Sequence, residues 1–475
     1  MKKFTYYFLI FLSISSIFPD SYHNLNGLVG ERAAGLGGAY TAISDDPSGT
    51  FYNPAGIAFA YDNFISISAN TYTETEKRYQ NVFGPGQDYV RKSSGFNPNF
   101  IGTVKSFTDK LKMGFSIISP VSESFDQADR FYYPTTRSSL SSYRIDYTEN
   151  NDLFQIGGTL GYILSDKLSI GGSLFYFNDS TKIISNQIVE GQDGSFNHIS
   201  LEDRRKTLGI IPALGVQYMP TEKVSLGLAI KRTVPLSGIR AVSGFTSAED
   251  TTTYSETTSF LNSHNRSASI NNNQIFVGAP ESGDVPEVNE IRTGVAFFAN
   301  KLSLFSFDLI YTEGFTKKLS RNTVELRSSS LTIQDSTDPY LQREPTLNYA
   351  FGFEYYILDS LAMRVGAYTN FSNNEKIDWT TAAVDLYLRE TGRNSVSLGS
   401  NVTYLPDAIQ AKVRFEDVDT QGYTLGFGWE TSRSSISLTY IYEYGKGIAQ
   451  IDSSQLPQSL IYRNSSIYLV ASSHN

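Results

Sequence analysis

The chain contains no cysteine, two tryptophans and four histidines in 475 residues. The first absence excludes disulfides and thiolate metal sites. The histidines, His23, His198, His264 and His474, lie far apart and form no HxxxH pair, so each reads as a loop or terminal residue and no metal or cofactor is expected. Positive charge is scarce as well: 39 Lys and Arg stand against 48 Asp and Glu, a net charge of −9, with no Lys/Arg-rich run. A nucleic-acid partner would need a basic stripe, and the sequence has none. Beyond the first residues no apolar run approaches spanning length, and the mean hydropathy of −0.24 excludes a helical membrane protein.

What is present is a strand-builder's composition. Tyr and Phe, 31 of each, raise the aromatic share to 13% while charged residues make up 18%, and such rings suit a pleated, half-buried surface. Met1-Lys2-Lys3 precede FTYYFLIFLSISSIF, an apolar run of 15 residues. That is the length of a secretory signal core and short of the ~20 residues of a spanning helix. Residues 1–22 are therefore expected to be a signal peptide, cleaved between Ser16 and His23, with no lipobox cysteine for a lipid anchor.

Alternation is the strongest signal. In 153-LFQIGGTLGYIL-164 one face carries Phe154, Ile156, Leu160, Tyr162 and Leu164, and the other Gln155, Gly157, Thr159 and Gly161. After Ser165-Asp166-Lys167 the pattern resumes, with Ile170, Leu174 and Tyr176 opposing Ser169, Gly171 and Ser173. That is a hairpin. The design recurs at 98–107 with 111–119, 208–218 with 224–232, 290–299 with 302–313, 346–357 with 361–371, and 422–429 with 436–444, and single strands are expected near 64–74 and 459–472. The tally is about fourteen strands. Pro212 falls inside one of them, where it would remove a ladder hydrogen bond, and Pro120 closes the run 113-MGFSIISP-120 as the start of a loop or an interruption of the ladder.

Connections alternate between short turns and long polar stretches near 75–97, 121–146, 179–206, 234–287, 314–344 and 373–420. Short turns at one end and long loops at the other characterise outer-membrane barrels, whereas a soluble sandwich has no reason for the asymmetry. The polar face agrees. It is mostly Gly, Ser, Thr and Ala, with sparse charges such as Arg292, Asp308, Glu354, Arg364, Glu430 and Glu443, which suggests a crowded interior rather than a water-facing sheet.

The segment 27-GLVGERAAGLGGAYTAISDDPSGTFYNPAGIAFAYD-62 stands apart because it has little alternation. Its glycines lack the dinucleotide frame, since Tyr40 sits where the third Gly belongs, and no Gly-Lys-Ser/Thr follows. Asp45-Asp46 could serve as an acid/base pair, but neighbouring residues rarely aim both carboxylates at one point, and a cap or turn through Pro47-Ser48-Gly49 is the plainer reading. No GxSxG, HExxH or Ser-His constellation appears, so the chain is not expected to be an enzyme.

Within this segment, Arg32-Ala33-Ala34, Gly37-Gly38-Ala39, Ala42, Asp45-Asp46-Pro47-Ser48 and Phe51-Tyr52-Asn53-Pro54-Ala55-Gly56 resemble the N-terminal signature of the FadL/TodX-like outer-membrane transporters of long-chain fatty acids and other hydrophobic compounds. A related group of secretion-associated barrels carries a similar block. The resemblance implies an all-β transmembrane antiparallel barrel plugged by an N-terminal hatch, in the bacterial outer membrane, with a hydrophobic small-molecule ligand, surrounding outer-membrane lipid, and passive uptake with lateral release into the membrane. On this reading residues 23–62 are the hatch and 63–475 the barrel with long extracellular loops, and the protein is expected to be a monomer. The C-terminal IYLVASSHN departs from the terminal aromatic usual in such barrels, which moves the last aromatic inward to Tyr468.

The hatch residues Leu36, Phe51, Asn53, Pro54, Ala55, Gly56, Ile57 and Phe59 are candidate ligand contacts. Arg32, Arg292 and Arg364 are candidate partners for an anionic head group, with lumen salt bridges to Glu354 or Asp308 as the other reading. The alternative function is a non-transporting barrel, a secretion-associated scaffold or surface-interaction protein that reads through its loops.

Overall fold

The computed structural model describes residues 23, 25, 27–135, 140–192, 194, 196–249, 274–278, 285, 287–318, 323–326, 332–334, 340–374, 396–398, 402–404, 416–449, 451 and 457–474. The expected signal peptide lies outside them. Fourteen strands form a closed antiparallel wall. They are β1 (Phe64–Tyr79), β2 (Tyr89–Ser106), β3 (Leu111–Tyr132), β4 (Leu140–Ser165), β5 (Leu168–Gly191), β6 (Phe196–Thr221), β7 (Val224–Arg232), β8 (Asn289–Asn300), β9 (Ser303–Thr312), β10 (Thr346–Leu358), β11 (Leu361–Asn370), β12 (Asp417–Glu430), β13 (Ser434–Ala449) and β14 (Gln458–Ser473). Each pairs with the next, and β14 returns to β1 from Ile65↔Ser473 to Tyr79↔Leu460.

Alternation places the side chains as their chemistry requires. On β12, Phe427 is 44% exposed on the outside while Thr424 is 3% exposed in the lumen. Leu, Ile, Val, Phe and Tyr repeat that outward position around the wall, an apolar band whose natural solvent is hydrocarbon. No helix among the described residues is long and apolar enough to cross a membrane.

Three of the expected long loops are instead mostly strand. Segments 75–97, 121–146 and 179–206 continue the hairpins of β1 to β6, so β3 to β6 reach 22 to 26 residues. A tilted strand crosses hydrocarbon in about 9–11 residues. The excess projects past the long-connection end, where the outward face has no need to be apolar and the alternation that marks a strand fades. Pro212 sits where the missing N–H is harmless. Below it β6 pairs with β7 from Ala213↔Lys231, and above it β6 pairs with Val234–Glu249 from Ile210↔Val234. Pro120 does not start a loop, since β3 runs through it with a register irregularity between Ile118 and Val121. Tyr468 faces the lumen, its hydroxyl 3.0 Å from Ser68 Oγ and 2.8 Å from Asn99 Nδ2.

The N-terminal segment fills the barrel. Leu25 N donates to Asn370 Oδ1 and Asn370 Nδ2 donates to Leu25 O, so one side chain at the end of β11 holds the arm like a ladder rung. The chain then descends through α1 (Glu31–Gly35), α2 (Gly49–Tyr52) and a one-turn 3-10 helix (Gly56–Phe59) to β1 at the short-turn end.

Candidate functional site

The hatch is irregular backbone buried in a lumen, so its N–H and C=O groups need partners. The small polar residues of the wall supply them. Asp308 Oδ2 accepts the N–H groups of Tyr40 and Thr41 at 3.0 and 2.9 Å. Ser225 Oγ donates to Ala42 O at 2.6 Å, Thr424 Oγ1 to Gly35 O at 2.8 Å, and Ser169 Oγ to Ala55 O at 2.9 Å. Glycine provides the room: a Cβ on Gly227 would lie 2.1 Å from Thr41 O, and one on Gly366 2.2 Å from Gly37 N.

A charged network holds the short-turn end. The buried Arg364 guanidinium pairs with Glu354 at 2.7 Å, with Glu31 of α1 at 3.3 Å, and with Glu430. Arg32 joins it, 2.8 Å from Glu354 and 2.8 Å from Asp45. The two neighbouring aspartates diverge. Asp45 faces Arg32 and the Tyr40 hydroxyl, whereas Asp46 Oδ1 accepts the N–H and hydroxyl of Ser48 at 2.7 and 2.5 Å. Asp46 therefore closes a turn, and burial pushes its carboxyl up to about 6.

Above this network a cavity of about 200 Å³ opens between the arm, the hatch and the wall. Leu25, Leu28, Phe51, Ile310 and Ile441 give it an apolar side, and Lys77, Glu123, Tyr368 and Glu443 a polar one. His23 also lines it; burial, aided by the nearby Lys77 charge, lowers its imidazole to about 3, so the ring is neutral. A second cavity of about 100 Å³ adjoins, with Phe51, Pro120 and Arg292 common to both. There Lys231 Nζ lies 4.1 Å from the Phe51 ring centroid, and Glu290 bridges Lys231 at 3.3 Å and Arg292 at 2.5 Å.

The wall beside the larger cavity is incompletely paired. The β2–β3 ladder runs from Ser106↔Lys112 only as far as Phe100↔Ile118. On either side, β1–β2 continues to Tyr79↔Tyr89 and β3–β4 to Tyr132↔Ser142. The seam above Pro120 is spanned by side-chain bonds, Asn97 Nδ2 to Ser119 O and Ser124 N to Ser93 Oγ, both 3.2 Å. Asn97 and residues 120–123 line the cavity directly.

Of the eight hatch residues singled out from sequence, Phe51 lines both cavities. Leu36 is buried in an apolar cluster with Val29 and Tyr52, and Ile57 in another with Ala60, Phe64 and Val104. Asn53 Nδ2 donates to Thr41 O and Val216 O while its Oδ1 accepts Ala55 N. Pro54 and Ala55 abut Gly171 of the wall, Gly56 packs on Ser44, and Phe59 ends the 3-10 helix. Among the three arginines, Arg292 lines the cavities, and Arg32 and Arg364 are held by carboxylates. Lys231, Glu290 and Glu123 were not singled out, although each sits at an inward position where the alternation expects a small residue. Among the described residues no group of three or more His, Cys, Asp or Glu is placed to hold a metal.

No protein-family model matches the sequence, and no curated protein matches it. Solved structures do. A Pseudomonas aeruginosa FadL homologue superposes with a TM-score of 0.54 at 14% identity, over 94% of this chain and 99% of that one. The Pseudomonas putida toluene transporter TodX gives 0.53 at 12%, over 96% and 99%. The Ralstonia pickettii toluene transporter TbuX gives 0.54 at 11%, over 95% and 99%. At these identities the likeness is one of architecture, and the chain has the fold of the FadL- and TodX-type channels.

Proposed function

We propose that the chain is an outer-membrane channel, not an enzyme, that takes up small hydrophobic molecules as a monomer and releases them sideways into the membrane. The supporting observation is the contiguity of the amphipathic cavity with the unpaired β2–β3 seam: residues on both edges of the seam line the cavity. Straight passage would require moving a hatch whose backbone is bonded to the wall at many points, whereas the seam is held by few bonds. Size sharpens the ligand class. An apolar cavity of about 150 Å³ holds benzene, so about 200 Å³ suits a single ring or a short chain, and a long-chain acid would extend toward the loops. The solved relatives include toluene transporters, which agrees with that size.

The chain has no cysteine, so a seam lock is clean to build. In proteoliposomes, bridging the pair Asn97→Cys and Pro120→Cys, both lining the cavity on opposite edges of the seam, with a short bis-methanethiosulfonate reagent is expected to abolish uptake of labelled toluene, and a reductant to restore it. Uptake that ignores the crosslink would rule out the lateral route. No uptake by the unmodified protein would rule out the channel.

A further inference from the structure

We propose that the larger cavity selects a ring-sized amphiphile whose polar end donates hydrogen bonds, an amine or a phenol, rather than a carboxylate. The inference rests on the channel reading above and adds the head-group chemistry.

The charges in the lumen are mostly paired. Glu31, Glu290, Glu354 and Glu416 each have an Arg or Lys within 4.0 Å. Two carboxylates lining the cavity do not. Glu443, buried on β13, accepts Thr420 Oγ1, the Asn370 side-chain amide and, at 3.4 Å, the Tyr368 hydroxyl, and no cation lies within salt-bridge distance among the described residues. Glu123, on β3 just past Pro120, accepts Thr75 Oγ1 at 3.4 Å and likewise has no such cation. A long hydrogen bond to a carboxylate leaves acceptor capacity unused.

The cations that line the same cavity are already engaged. Lys77 Nζ lies 2.7 Å from Glu416, and Arg292 Nε 2.5 Å from Glu290. An entering carboxylate would have to displace those partners while facing two further carboxyl groups in a low-dielectric site. An entering ammonium or phenolic hydroxyl meets open acceptors, while its ring lies against Leu28, Phe51, Ile310 and Ile441. Burying an unpaired charge is costly and pairing one recovers that cost, so the asymmetry favours donors over anions.

The test is isothermal titration of the full chain in detergent with four molecules of nearly equal size: benzylamine, p-cresol, toluene and benzoate. Benzylamine or p-cresol is expected to bind at least about tenfold more tightly than toluene or benzoate, the worth of one hydrogen bond to a charged group. Benzylamine leading identifies an ion pair, and p-cresol leading a neutral donor. Glu443→Gln is expected to narrow the ratio of benzylamine to toluene affinity, and Glu123→Gln, at a less buried site, provides the same readout if the first variant fails to assemble. Toluene or benzoate binding as tightly as both donors would overturn the head-group inference and leave the apolar cavity standing. Binding of none of the four would overturn the channel reading itself.

Discussion

The Asp308 carboxylate on the inner face of β9 accepts the backbone N–H of Thr41 at 2.9 Å, and through the same oxygen that of Tyr40 at 3.0 Å. One wall side chain thus satisfies two consecutive buried donors of the hatch. Asp308→Ala would leave both N–H groups unpartnered, at about 1–3 kcal/mol each. The expected outcome is an assembled barrel with a loosened plug, seen as raised single-channel conductance in planar bilayers. Asp308→Asn keeps an acceptor oxygen and is expected to leak less. Equal conductance of Asp308→Ala and the parent would show that the hatch is held elsewhere.

Gly227 tests steric fit rather than bonding. A Cβ there would sit 2.1 Å from Thr41 O and 2.8 Å from Ala42 Cα, both backbone atoms that cannot swing away. Gly227→Val is expected to expose the hatch to protease from the short-turn side while the wall stays resistant. An unchanged digestion pattern would mean that the hatch shifts without loosening.

The outer face predicts a depth-dependent cost. Leu425 projects outward at 45% exposure, near the middle of the outward row on β12. Leu425→Arg there should lower stability by about 2–4 kcal/mol in folding titrations into lipid. A cost near zero would contradict a hydrocarbon-facing wall.

Strand number and facing were legible because they depend on a local rule. The order Tyr423, Thr424, Leu425, Gly426, Phe427 in a chain of otherwise similar segments fixes which side meets lipid. Strand length was not, since the pattern persists only where hydrocarbon enforces it: SESFDQADRFY of β3 is strand without an apolar outer face. The hatch was visible as a break in alternation, and the Gly/Ser/Thr lumen face as crowding. Pairings across hundreds of residues, such as Arg364 with Glu31, leave no local trace. Neither does the seam. Pro120 is conspicuous in the sequence, but the parting of β2 from β3 above it is a property of two strands together.

Arg364 is the charge on which three carboxylates converge, and it is almost wholly buried. Removing one partner of a buried network leaves the others uncompensated, typically at about 3–5 kcal/mol. Arg364→Met is therefore expected to lower the unfolding temperature in heat-modifiability gels. Adding Glu354→Gln should recover only part of that loss, because Arg32 then loses a carboxylate as well. Full recovery by the second substitution would reduce the network to a single pair.

Asp46 gives the hatch a pH dependence opposite to that of most carboxylates. Its folded pKa, about 6, is raised above the ordinary 3.8 by burial and the neighbouring Asp45, against the opposing pull of Ser48 and Arg32. Below about pH 4 the folded and unfolded states both hold the proton, and the site carries no penalty. As pH rises from 4 to 6 the unfolded chain ionises first, so stability falls, and above 6 the loss is complete at about 3 kcal/mol. His23, held near 3 in the folded chain but free to charge near its ordinary 6.5 once unfolded, acts the other way and adds stability as pH rises from 5 to 8. The Asp46 contribution is therefore read as the difference between the parent and a variant that cannot ionise at this position, and that difference should be larger at pH 8 than at pH 5. Asp46→Asn keeps an oxygen for the Ser48 N–H and cannot ionise, so it is expected to stabilise relative to the parent chiefly at pH 8. If the change in stability between pH 5 and pH 8 is the same in the substituted protein as in the parent, the dependence belongs to other groups, and Asp46 is ionised without cost.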